Sequence, residues 1–271
     1  MPANDLRVVQ LGSMARSGET LFLRTCAVHP QVQVVHDLHA GNTAAEVALF
    51  KLLRVWPANR VPRAEAQRLL GNALKPGATH LLLKQGVFNP RHAWRGVALI
   101  RNPYAMFTSL WTYDAGRQGS DAQHLQNWQQ LRLPRLLAWC DAMDPTLSRQ
   151  LAAMANPLEQ FILFYAMRTR QLQASGQPLL HYEDLVTQTI PTLRTACQGL
   201  GLVPHDDMLR AHQFFPTGTA GHGRMDLSAP IRPGADWQPF PGLPTEPFEA
   251  LVRQLGLTRY LGLFDTAAQA A

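Results

Sequence analysis

The sequence predicts an α/β protein with one central, mostly parallel sheet flanked by helices. Short apolar runs rich in branched residues recur at 6–11, 32–38, 79–84, 96–101 and 179–182, each the length of a buried strand. Several stretches between them carry apolar residues at helical spacing, and strand-helix alternation is the pattern of a doubly wound sheet. The 271 residues are 46% hydrophobic and 16% charged, enough apolar material for a core and unlike a disordered or fibrous chain. No linker-like stretch divides the chain, so a single domain over 1–271 is expected.

Leu6 to Leu11 reads as a buried strand that runs into a loop at Gly12-Ser13. From Ser17, the positions Leu21, Leu23, Cys26 and Ala27 fit one helical face, and His29-Pro30 stops it. Val32 to Leu38 is a second strand with a polar end, and Ala44 to Arg54 a second helix. Thr79 to Lys84 and Gly96 to Arg101 are strands that each end in a cation. A helix begins near Pro103, since proline is tolerated in a first turn. The middle, about 116–176, is helical, with Asn156 capping the run from Leu158 to Leu172. Leu179 to Tyr182 is a last core strand. About 216–247 reads as one long loop, because Phe215 to Pro247 holds seven of the 20 prolines and five of the 19 glycines.

No run approaches the ~18 apolar residues of a spanning helix, and Met1 to Arg16 lacks the pattern of a secretory leader. Cys26, Cys140 and Cys197 are isolated and odd in number, as expected of buried thiols in a cytoplasmic protein. His36 and His39 have no third or fourth ligand near in sequence, so no metal site is expected. The net charge is +6, but between Val47 and Tyr113 ten basic residues face the single acid Glu65. That asymmetry favours an anionic partner, or else marks a solvated basic face.

The sharpest feature is the strand-loop-helix unit from Val8 to Leu21. A loop of small residues opening a helix presents backbone N–H groups and the positive end of a helix dipole, the arrangement that holds phosphate. Arg16 adds a cation, and Ser17 and Thr20 add hydroxyls in the first turn. It is not a Walker A loop, because Gly18 is followed by Glu19 and not by Lys-Ser or Lys-Thr. The plainer alternative is an ordinary turn with Ser17 as N-cap. A second feature pairs Arg101, at a strand end, with Ser109 about two turns into the next helix.

With these residues in view, the sequence resembles the PAPS-dependent sulfotransferases. Arg16-Ser17-Gly18-Glu19-Thr20-Leu21, with His29-Pro30 following, looks like the family's 5′-phosphosulfate loop. Arg101-Asn102-Pro103 with Ser109 is similar to its 3′-phosphate motif, and Leu180-His181-Tyr182-Glu183-Asp184-Leu185 to its late strand. Arg232-Pro233-Gly234-Ala235-Asp236-Trp237 resembles the late loop that closes over the 3′-phosphate, a role for which Arg224 competes. The resemblance implies a P-loop-like fold and 3′-phosphoadenosine 5′-phosphosulfate as co-substrate, with adenosine 3′,5′-bisphosphate as product. The cofactor-binding set it implies is Arg16, Ser17, Gly18, Glu19, Thr20, Leu21, Arg101, Ser109, Tyr182 (against adenine), and Arg224 or Arg232.

Two departures stand out. Glu19 replaces a small or hydroxyl residue and would repel a phosphate unless its side chain turns away or binds substrate. Lys84 is followed by Gln85 and Gly86, so the histidine that serves the cytosolic branch as base is missing. Asp37 falls where other branches place a carboxylate and is the first candidate base, with His36 and His39 as alternatives. Lys84 is the candidate for stabilising the transferring sulfuryl group. No metal is required, because guanidinium, ammonium and amide donors supply the positive field.

The expected activity is in-line transfer to a hydroxyl or amine of a small-molecule, glycan or peptide acceptor. A P-loop-like small-molecule or nucleoside kinase is the second reading, weakened by the missing Lys-Ser/Thr pair. A non-catalytic nucleic-acid-binding protein is the third, with no aromatic-interleaved motif or zinc finger to support it.

Overall fold

The computed structural model describes residues 5–35, 44–45, 48–49, 52, 59–85, 95–141, 144–219, 226–231 and 240–268. Its centre is a sheet in the order β2-β4-β1-β5-β6, formed by β1 (Asp5–Ser13), β2 (Val32–Val35), β4 (His80–Gln85), β5 (Arg95–Ile100) and β6 (Leu179–His181), with every neighbouring pair parallel. A sixth strand, β3 (Arg60–Pro62), lies antiparallel to the start of β1, with Leu6 opposite Val61. Three residues ending in proline are too few to show alternation, which is why β3 has no signature in the sequence.

The helices are α1 (Glu19–Ala27), α2 (Arg63–Leu70), α3 (Pro103–Trp111), α4 (Asp121–Asn127), α5 (Leu133–Asp141), α6 (Pro145–Ala153), α7 (Pro157–Ala174), α8 (Tyr182–Thr187), α9 (Thr189–Leu200), α10 (Glu246–Gln254) and α11 (Leu261–Ala268). Residues 44, 45, 48, 49 and 52 are helical as expected.

Internal contacts fall into two compact units, Met1–Ile100 with Leu172–Gly234, and Arg101–Gln171 with Ala235–Ala271. In the first, successive strand residues feed opposite faces of the sheet. Val9, Leu11, Leu82 and Leu99 join Phe22 of α1 and Leu193 of α9 in one buried cluster. Leu6, Val8, Leu81 and Leu83 join Ala66 and Leu70 of α2 in the other. A parallel sheet covered on both faces makes its strands continuously apolar, the signal that made them legible.

The second unit is helical around an aromatic core. Phe107 of α3 packs on Trp111, Trp128, Phe161 and Phe248, and the Trp128 indole N–H donates to the Gln160 side chain at 2.7 Å. α4 to α7 follow one another in this unit, and Trp128–Arg132 winds as a π-helix between α4 and α5. Asn156 caps α7 by accepting from the Leu158 N–H at 2.9 Å.

Several boundaries differ from the sequence reading; β4 ends at Gln85 and β5 at Ile100, so neither strand ends on its cation. Gly12 and Ser13 remain in β1, because they pair with Ala98 and Leu99 of β5. Tyr182 is not a strand residue but the first of α8, where Glu183 and Asp184 supply the negative charge a helix start favours. The α1 N-cap is Gly18 rather than Ser17. The late loop ends before Pro247, which sits in the first turn of α10.

Candidate active site

The loop from Met14 to Gly18 leaves the carboxyl end of β1, the edge at which open α/β sheets bind ligands. A turn closes it, with the Ser17 N–H donating to the Met14 carbonyl at 3.1 Å. Arg16 has φ 71, the one positive value at a non-glycine residue among the described residues, and Gly18 has φ 95. A left-handed arginine costs about 1–2 kcal/mol. Left-handed positions within a short turn gather successive N–H groups toward one point, the geometry of an anion cradle. The first α1 hydrogen bond runs from the Phe22 N–H to the Gly18 carbonyl, so the N–H groups of Glu19, Thr20 and Leu21 have no partner within the helix. Gly18 is required twice over. Its φ suits glycine, and a Cβ there would lie 2.2 Å from Cδ2 of Tyr182.

Side chains in this loop divide by direction. Leu21 is buried in the core, so its only polar contribution to the loop is its backbone. Ser17 is fully buried, Thr20 and Arg16 are half-buried, and the Tyr182 ring packs over Gly18 against the core. Glu19 is buried rather than turned to solvent: its Oε1 pairs with the Lys84 ammonium at 3.4 Å, and the Ser17 hydroxyl reaches its Oε2 at 3.5 Å. Lys84 stands opposite Leu11 where β4 flanks β1. The repulsion expected of Glu19 is thereby offset by a neighbouring cation. Sequence reasoning missed this pair because only the sheet order brings β4 beside β1.

Arg101 and Ser109 belong to the second unit. There Arg101 is buried and its carbonyl accepts from the Tyr165 hydroxyl at 2.7 Å. Asn102 caps α3 through the N–H groups of Tyr104 and Ala105, at 2.8 and 3.2 Å, and Ser109 is half-buried on that helix. His36, Asp37, His39, Arg224 and Arg232 lie outside the described residues. Between the last two, residues 226–229 are anchored by the buried Arg24 of α1, whose guanidinium donates to the carbonyls of Leu227 and Ala229 at 3.0 and 2.7 Å.

Perturbed histidines lie at the opposite ends of the strands. Burial, with Arg7 and His29 adding to it, lowers the His80 imidazole to about 4. His29 is lowered too, first by burial, while its Nε2 bonds the Val203 carbonyl at 2.9 Å. Among the described residues no cluster of three or more His, Cys, Asp or Glu could hold a metal, and no helix is long and apolar enough to cross a membrane.

No family model matches the sequence, and no curated protein matches it. Among solved structures, the chain is similar to the sulfotransferase domain from the curacin biosynthetic pathway, with 16% identity, a TM-score of 0.48 and coverage of 93% of this chain and 97% of that one. The sulfotransferase domain of the Synechococcus PCC 7002 olefin synthase shows 16% identity and a TM-score of 0.47, covering 92% and 94%. Mouse sulfotransferase SULT7A1, solved with PAP, shows 10% identity and a TM-score of 0.43, covering 92% and 84%. These are likenesses in the course of the chain, and the chemistry is read from its own residues.

Proposed function

We propose that this protein transfers a sulfuryl group from 3′-phosphoadenosine 5′-phosphosulfate to a hydroxyl or amine of a small-molecule, glycan or peptide acceptor. The observation that carries the reading is the loop at the head of α1. It combines a left-handed Arg16 with first-turn N–H groups and has no Walker lysine at the residue after Gly18. Such a loop suits an anion brought without magnesium, because its own guanidinium supplies the positive charge.

The donor, when bound, supplies an activated sulfuryl group and a phosphate leaving group. Arg16 and the N–H groups of residues 19–21 neutralise charge that grows on the departing 5′-phosphate. Lys84 lies at the same strand edge and counters charge on the transferring group. Arg101 and Ser109, with Arg224 or Arg232, are assigned to the 3′-phosphate on the strength of the motif resemblance, where binding energy fixes orientation. Tyr182 is assigned to adenine on the same ground. Asp37, or His36 or His39, takes the acceptor proton as attack proceeds. The three cysteines are buried and free, which fits a reducing, cytoplasmic setting.

Thermal melting with adenosine 3′,5′-bisphosphate in the absence of magnesium tests the donor site, and a panel of acceptors with labelled donor tests the reaction. Stabilisation together with label transfer is the expected result. Stabilisation by ATP only with magnesium would replace this reading with that of a kinase.

A further inference from the structure

We infer that Glu19 is a positioning residue: it holds the Lys84 ammonium in one direction at the mouth of the loop and sets the loop's net charge one unit lower. The inference rests on the sulfuryl-transfer reading above. Its ground is a carboxylate at the first residue of α1 that is buried against a lysine beside the loop proposed above to take an anion. Both side chains are largely withdrawn from water, 18% exposed for Lys84 and 9% for Glu19, so the pair is screened less than a surface bridge. The carboxylate is also held at both oxygens. Oε1 faces Lys84 and Oε2 faces the Ser17 hydroxyl, which ties the end of β4 to the loop.

Two consequences of opposite sign follow. A lysine stem is flexible, and an ammonium is a point charge with three rotatable donors. A fixed acceptor on one side removes much of that freedom, so the ammonium keeps its orientation when the sulfuryl group arrives. The same carboxylate cancels a positive charge beside the loop, which weakens ground-state attraction for any phosphate and eases release of the bisphosphate product. A residue with only a structural role would not move affinity and turnover in opposite directions.

The experiment uses the full chain and compares Glu19→Gln, Glu19→Asp, Lys84→Met and the double variant Glu19→Gln/Lys84→Met. Calorimetry gives the Kd for adenosine 3′,5′-bisphosphate, and labelled donor gives kcat. Glu19→Gln is expected to bind the bisphosphate roughly fivefold more tightly, the scale of one unit charge across a loop. Its kcat should fall about tenfold, the scale of a modest loss of alignment. Glu19→Asp keeps the charge on a shorter stem, so its Kd should match the wild type while kcat stays reduced. The double variant should turn over within about twofold of Lys84→Met alone, because Glu19 acts through Lys84. Changes below about twofold in both Kd and kcat for Glu19→Gln would overturn the inference, as would losses in both that track a lower Tm. If Glu19→Gln does not fold, Glu19→Asp decides: an unchanged kcat overturns the positioning role. A wild-type chain that binds no bisphosphate and transfers no label removes the functional reading itself, an outcome separate from an active wild type indifferent to Glu19.

Discussion

The two ends of the parallel strands both carry basic groups, and they use them differently. At the amino ends, cations and imidazoles close off the main chain. The Lys75 ammonium donates to the carbonyls of Ala27 and His29 at the end of α1, and Arg63 donates to the carbonyl of Ala78. His29 bonds the Val203 carbonyl, and His80 is buried against Thr79, whose hydroxyl meets its Nδ1 at 2.8 Å. At the carboxyl ends, Lys84 pairs with a carboxylate, and Arg16 is held in a strained conformation beside N–H groups unused within α1. The difference teaches that the basic excess between Val47 and Tyr113 is not one surface. Arg63 and Lys75 serve carbonyls, Arg68 pairs with Glu65, and Lys84 belongs to the loop edge. Charge along a sequence is averaged over positions that the sheet sends to opposite edges.

The comparison would break most decisively at Arg16. Arg16→Ala should reduce sulfuryl transfer at least about 100-fold, the usual cost of a lost transition-state donor, with little change in Tm because alanine carries the same left-handed strain. Unchanged turnover would remove the carboxyl edge from the chemistry. Next is Gly18→Ala, where a positive φ and the clash with Tyr182 together cost about 2–4 kcal/mol. A calorimetric Tm lower by roughly 5–12 °C is expected, with partial recovery of the clash component in Gly18→Ala/Tyr182→Ala.

The amino edge gives effects on stability without effects on turnover. His80 binds a proton only below its lowered value of about 4 when folded, but near 6.5 when unfolded. Between those values the unfolded state holds more protons, so stability is full above about pH 6.5 and declines as pH falls toward 4. The loss is on the order of 2–3 kcal/mol. In urea titrations across this range, His80→Leu should show a shallower acid slope, with His29 supplying what remains. Smallest is Lys75→Met. Removing the ammonium from two carbonyls should cost about 1–2 kcal/mol, read as a Tm drop of ~2–6 °C, with turnover unchanged. A loss of turnover in Lys75→Met would show that the two edges are coupled.

Much of this protein was legible without coordinates, for a local reason. Strand cores such as Leu81-Leu82-Leu83, the proline start of α3, and the Asn156 cap of α7 all follow from residues within about four positions of one another. The loop between β1 and α1 was legible for the same reason, though its ends shifted, Ser13 into the strand and the helix cap to Gly18. The tertiary structure alone decided that β3 joins β1, that Tyr182 seats its ring on Gly18, and that His80 is buried neutral. It alone decided that Glu19 meets Lys84, 65 positions later in the chain. Those outcomes depend on which strand lies beside which, and strand order is set by burial of both sheet faces at once rather than by any short stretch of residues.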